Sequence, residues 1–344
     1  MPKDNEDVSP LNDGPSADAS ARSFTPEQMV RCDACLRANP PVRMNCLYCG
    51  ATLPVQPASV VLQKPELRPL EKWEHGYNNI HLPSPANLNE SSLAEIADFL
   101  RMEKEELTRI VKAEIPLPLA RSSSKDEAEL ILQRLKNAGI VSLIIDDSSL
   151  GPDPPLKLRA LEFTDDGFDA YQSPQAPPIK IFLTDLVFLV SGRITRRRVE
   201  LKEERKRSEQ RVLEADQFFA DENVVELFSA HTSASYRIAS GSFDFSCLGE
   251  KKRLVATENM SILIDVFRER VPAIIYDQEY NSVRKVLEPV WRSEQQNEST
   301  GWRHGGGKYS LGSVTETSNE SQFSRYARLR YYLLVRQQMG AADA

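Results

Sequence analysis

The segment "CDACLRANPPVRMNCLYCG", Cys32 to Gly50, holds four of the five cysteines of a 344-residue chain. Two residues separate Cys32 from Cys35, two separate Cys46 from Cys49, and ten lie between the pairs. Two tight turns with that spacing can face one another and offer four thiolates to a single tetrahedral cation. Zinc is the expected occupant, one ion in one structural site, and a four-thiolate cage also suits iron. Closing the cage takes all four cysteines and leaves no coordination position for water, which is the pattern of a metal that folds a module rather than one that performs chemistry. Metal binding contributes roughly 10 to 16 kcal/mol to segments too small to build a core. The folded knuckles could also present a surface to a protein partner, for example Leu47 and Tyr48.

"CDACLRANPPVRMNCLYCGATL" resembles the short prokaryotic zinc ribbons of the form C-x2-C-x3-N-P, a polar run, then C-x2-C-G. It is similar in spacing to the Ran-binding-protein type of zinc finger, which Asn39 also fits. In that eukaryotic family an aromatic residue before the first cysteine stacks RNA bases, and a Thr-Phe pair after the second grips ubiquitin. Val30 and Leu36-Arg37 stand in those places, so the resemblance implies neither activity.

No other segment carries a chemical signature. "GWRHGGGKYS" lacks the spacing of a phosphate-binding loop, and there is no G-x-S-x-G, H-E-x-x-H or dinucleotide fingerprint. His75 and His81 have no accompanying cysteine or carboxylate pattern, and Cys247, in "FDFSCLG", reads as a small buried hydrophobe. No catalytic or cofactor-binding residue is assigned, apart from the metal ligands Cys32, Cys35, Cys46 and Cys49.

Positioning these residues calls for several domains. The length and the 40 % hydrophobic content predict two or three units, and 22 prolines against 15 glycines predict long connections. The expected class is multi-domain α+β: an acidic disordered tail at 1–25, the zinc ribbon at 26–54, a Pro-rich linker at 55–89, a small α/β layer module at 90–150, a β-rich barrel-like domain with terminal helices at 151–296, and a flexible linker with a basic amphipathic helix at 297–344. In the small module, Ser92 with Glu95 and Ser124 with Glu127 form two capping boxes, and "IPLPLA" is an edge strand at best. Residues 92–146 resemble the C-terminal domain of the bacterial ribosomal stalk protein in a "SK-acidic-EAE" helix start and an "L-x-x-AG" helix end. That resemblance implies a fold and none of the factor-binding residues.

Downstream, "LKLRALEF", "GFDAYQS", "IKIFLTDLVFLVSGRI", "SYRIAS" and "FDFSCL" read as strands, followed by helices at 257–271 and 278–291. Strands closed by a helix resemble a pleckstrin-homology-type barrel. "GRITRRRVELKEERKRSEQR" mixes nine basic residues with four glutamates, the pattern of a solvated helix or hairpin face. "FSRYARLRYYLLVRQQM" predicts a helix that docks on its own domain or on a partner, ahead of contact with an anionic membrane surface.

A net charge of -7 argues against wholesale nucleic-acid binding. The N-terminus lacks a secretory signal, and no apolar run reaches the roughly 20 residues of a membrane span. A cytoplasmic protein without a transmembrane segment is expected. The first functional expectation is a non-enzymatic adaptor that binds a protein partner. The alternative is a nucleic-acid or ribosome-associated regulator acting through Arg196, Arg197 and Arg198, and the third is an enzyme with a scattered site.

Overall fold

The computed structural model describes residues 24–54, 64–71, 73–84, 89–150, 154–206, 209–230, 234–304 and 308–342. The chain divides into two compact units, Met1–Lys64 and Pro65–Ala344. All of the acidic tail but residues 24 and 25, and residues 55–63 of the expected linker, lie outside the described residues.

In the first unit β1 (Val30–Arg31) pairs antiparallel with β2 (Ala38–Asn39), and an isolated bridge joins Asn45 to Thr52. Val30, Cys32, Cys46 and Leu53 form its buried cluster, so half of this small core is cysteine.

The second unit begins with a correction to the linker expected at 55–89. Tyr77–His81 is a strand, β3, and every residue of it but Tyr77 is buried. "YNNIH" hides this because two of its buried side chains are amides, each bonded internally. Asn78 donates to the Ile145 carbonyl at 3.2 Å and to Asp147 Oδ1 at 2.8 Å, and accepts from Trp291 Nε1 at 2.9 Å. Asn79 donates to the Ala128 carbonyl at 2.9 Å.

Next comes α1 (Glu90–Leu100), capped by Asn89, whose side chain accepts the Ser92 N–H at 2.7 Å. The expected Ser92 cap is therefore displaced, since Asn89 reaches the orphan amide first. After α2 (Lys104–Lys112), β4 (Leu117–Ser122) lies at the edge of a sheet ordered β4-β3-β5, with β5 spanning Ser142–Asp146. Pro118 has no N–H to donate, and the β3–β4 register slips between Asn79 and Ile80, which pairs with Pro118. Between those strands runs α3 (Lys125–Asn137), capped by Ser124 as expected and burying Ala128, Leu130, Ile131 and Leu135.

Residues from 156 onward build two sheets. β7 (Ala160–Phe163), β8 (Gly167–Tyr171) and β9 (Ile179–Phe182) form an antiparallel meander. The larger sheet runs β14-β15-β10-β11-β12-β6, with β13 also pairing β10. Its members are β6 (Leu156–Leu158), β10 (Leu186–Lys206), β11 (Glu209–Ser229), β12 (Ser235–Ala239), β13 (Ile275–Asp277), β14 (Glu294–His304) and β15 (Lys308–Ser318). It curls into a half-barrel, the coarse form of the barrel-like domain expected from the sequence, and among the described residues its two end strands, β14 and β6, do not pair.

Two further readings change. "FDFSCL" belongs to a 3-10 turn, Phe245–Lys251, because Asp244 takes the Ser246 N–H and hydroxyl and draws the chain out of a ladder. "GWRHGGGKYSLGSVTETSNES", expected as a flexible linker, supplies most of the β14–β15 hairpin, which pairs with β10 from Arg196 to Arg205.

The main core gathers Phe168, Leu189, Leu227 and Ile238 from the strands with Met260, Leu263 and Phe267 of α4 (Ala256–Arg270). α5 (Tyr280–Leu287) and α6 (Glu320–Ala342) complete the unit. Phe323, Tyr326 and Ala327 of α6 are fully buried, so the basic amphipathic helix docks on its own domain. The close approach requires glycine in β10: a Cβ on Gly192 would stand 2.5 Å from the Phe323 ring and 2.8 Å from Tyr280. Among the described residues no helix is long and apolar enough to cross a membrane.

Candidate metal centre and charged clefts

Two knuckles position the four cysteines. In the first, the Leu36 N–H donates to the Cys32 carbonyl at 2.7 Å and the Cys32 N–H to the Arg37 carbonyl at 3.0 Å. In the second, Gly50 donates to Cys46 at 3.0 Å and Cys46 to Ala51 at 2.8 Å. The residue after each closing cysteine turns left-handed, with φ 61° at Leu36 and 74° at Gly50. Glycine adopts that conformation freely, whereas leucine carries a Cβ penalty.

All four sulfurs lie within 4.8 Å of one another, with Cys32 to Cys49 at 3.6 Å and Cys35 to Cys46 at 3.5 Å. Sulfurs each about 2.3 Å from a central tetrahedral ion stand about 3.8 Å apart. The donor set therefore fits a metal ion such as zinc. Asn39 braces the cage: its amide nitrogen donates to Cys46 Sγ at 3.4 Å and to the Arg37 carbonyl at 2.9 Å, while its oxygen accepts the Leu47 N–H at 2.8 Å. This ties one knuckle to the other.

The four sulfurs compete for ionisation. Burial opposes the Cys46 thiolate, but the Tyr48 and Cys49 amides and the Asn39 side chain outweigh it and hold the thiol down to about 6. An amide from Arg37 favours the Cys35 thiolate, yet burial and the three neighbouring sulfurs push that thiol up to about 12. A central dication removes this conflict.

Around the cage, Leu36, Leu47 and Tyr48 are 61 %, 52 % and 56 % exposed. The Arg37 guanidinium lies 4.7 Å over the Tyr48 ring, and Arg31 Nε donates to the Leu36 carbonyl at 3.0 Å.

The other residues singled out from the sequence do not converge. His75 meets Asp146 at 2.8 Å on the surface. His81 is buried on β3, bonded through Nδ1 to the Val141 carbonyl, and burial lowers its pKa. Burial pushes the Cys247 thiol up to about 11, the condition of an inert sulfhydryl. Trp73 is exposed. The three consecutive arginines are each engaged: Arg196 with Glu320 at 2.7 Å, Arg197 over the Phe219 ring at 5.7 Å, and Arg198 with Glu200 at 2.8 Å.

A buried charge network escaped the sequence reading altogether. Arg237 and Glu226 pair at 2.5 Å out of contact with solvent, Ser235 donates to the same carboxylate at 2.6 Å, and Arg237 reaches Glu320 at 3.1 Å. Burial opposes ionisation of Glu320, but Arg196, Arg237 and Lys157 outweigh it and hold the carboxyl down to about 2. The network borders a cleft of about 690 Å³, and a second cleft of about 360 Å³ lies beside it, with Arg121 and Arg325 lining both. Nothing in the sequence announces either, since their walls come from strands and helices far apart in the chain. Comparison with protein-family models, curated proteins and solved structures finds no match.

Proposed function

We propose that the chain is a non-enzymatic adaptor whose zinc-bound ribbon presents a small apolar surface to a protein partner. One observation carries this reading. Leu36, Leu47 and Tyr48 stand exposed on knuckles whose four sulfurs are all turned inward to one centre. A four-sulfur cage offers no open coordination position to a substrate, and exposed aliphatic and aromatic side chains held on a rigid frame are suited to contact, with tyrosine enriched among binding hot spots. The larger unit is the second half of the adaptor in this reading, and a second contact there would raise avidity through effective concentration.

The test is affinity capture with the full chain and with a Leu36→Ser, Leu47→Asp, Tyr48→Asp variant that retains one metal ion per chain. A nuclease-resistant protein partner is expected with the wild type and lost with the variant. Equal capture by both chains would overturn the ribbon's role. Nuclease-sensitive capture that weakens steeply with salt would point to the nucleic-acid reading instead.

A further inference from the structure

Arg325 differs from Arg237, Arg196 and Arg121 of the second unit. Arg237 is neutralised by Glu226, Arg196 by Glu320, and Arg121 by Asp147 at 2.5 Å. Among the described residues Arg325 makes no hydrogen bond and no ion pair, although it is only part-exposed and projects from α6 into the junction of two clefts. Asp147 and Glu294 favour its charge without bonding it. Asp147 is already committed, accepting from Arg121, Asn78 and the Gly76 N–H. Leaving a guanidinium partly desolvated and unpaired is costly, and its five donors in a planar fork match a carboxylate or phosphate. Burial, reinforced by Arg121, lowers its pKa.

The lining of the smaller cleft adds further donors to Arg325, beside the carboxylates of Glu71 and Glu294. Ser321 lies one helical turn before Arg325 on α6, lines both clefts, and makes no side-chain hydrogen bond among the described residues. Arg101 and Arg292 line the smaller cleft with them. At about 360 Å³ that space falls at the lower end of the range of pockets that enclose small molecules, roughly 300 to 1,000 Å³.

We propose that this cleft binds a small molecule bearing a phosphate or carboxylate group, held by the Arg325 fork and the Ser321 hydroxyl. The site lies wholly within Pro65–Ala344 and does not depend on the ribbon.

Isothermal titration of the full chain with inorganic phosphate and, separately, with succinate, both at constant ionic strength set with sodium chloride, tests this. Saturable one-site binding of at least one anion is expected, weakened at least tenfold by Arg325→Gln, because a charge-assisted pair contributes that much or more. Arg325→Lys keeps the charge but not the fork, and covers the case in which Arg325→Gln fails to fold. It should stay folded and bind several-fold more weakly than the wild type. Phosphate alone binding would assign the site to phosphate esters, and succinate alone to carboxylates. The absence of saturable binding to the wild type, or equal affinities in wild type and the folded variants, would overturn the proposal.

Discussion

The two units hold themselves together by opposite means. The ribbon has a buried cluster of four residues, two of them cysteines of the candidate metal centre, so in the proposed reading its stability rests on a cation. The unit from Pro65 onward buries a cluster of aliphatic and aromatic side chains from two sheets and α4, and threads it with paired charges such as Arg237–Glu226. The contrast teaches that a short segment can fix its fold by a few ligands at fixed spacing. A larger unit has room for buried polar pairs, whose cost is offset only when every partner is present.

The largest effect separates the units outright. Stripping the metal with a strong chelator, or substituting Cys46→Ser, removes roughly 10 to 16 kcal/mol of metal binding from the ribbon. Limited proteolysis should then cut within residues 26–54 while Pro65–Ala344 stays resistant. Equal loss of protection in both units would break the comparison.

Arg237→Ala probes the other side. It leaves Glu226 buried and uncompensated, which costs about 3 to 5 kcal/mol. Urea denaturation followed by the fluorescence of buried Trp291 should show the loss, and metal content should not change.

Acid should sharpen the picture further. The native Glu320 carboxyl sits near 2, below its ordinary 4.5, so the folded state binds the proton more weakly than the unfolded chain. Its contribution is complete above pH 4.5 and is lost as pH falls from there toward 2. Glu320→Gln should flatten that part of the stability profile of Pro65–Ala344, as followed by Trp291 fluorescence.

The smallest effect lies in the ribbon. Leu36→Gly relieves a left-handed leucine and should stabilise the metal-bound module by about 0.5 to 1 kcal/mol. Gly50→Ala should lose a similar amount, about 1 kcal/mol. Hydrogen exchange of the knuckle amides reads both changes.

These contrasts also explain what could be read in advance. Cys32, Cys35, Cys46 and Cys49 were legible because ligand spacing is local, and their sulfurs do converge. Ser124 as a cap, β4 at a sheet edge and the docked α6 followed from equally local signals. β3 was not legible, because Asn78 and Asn79 find their partners in β5, α3 and at Trp291, and burial of an amide leaves no hydrophobic trace in the sequence. The β14–β15 hairpin was missed for a related reason, since its glycine and serine content reads as linker until β10 is there to pair with it. The strand order of the half-barrel was not legible, because periodicity does not encode it. Arg325 gave no signal at all: its distinction lies in the partner it lacks among the described residues.

The most direct test of the account is native mass spectrometry of the full chain, wild type against Cys46→Ser, with the metal identified by elemental analysis. One zinc ion per wild-type chain, absent from Cys46→Ser, is the predicted result. A wild-type chain that binds no metal, or a metal that survives loss of Cys46, would contradict the closed four-thiolate cage on which the ribbon's fold and its proposed contact surface both depend.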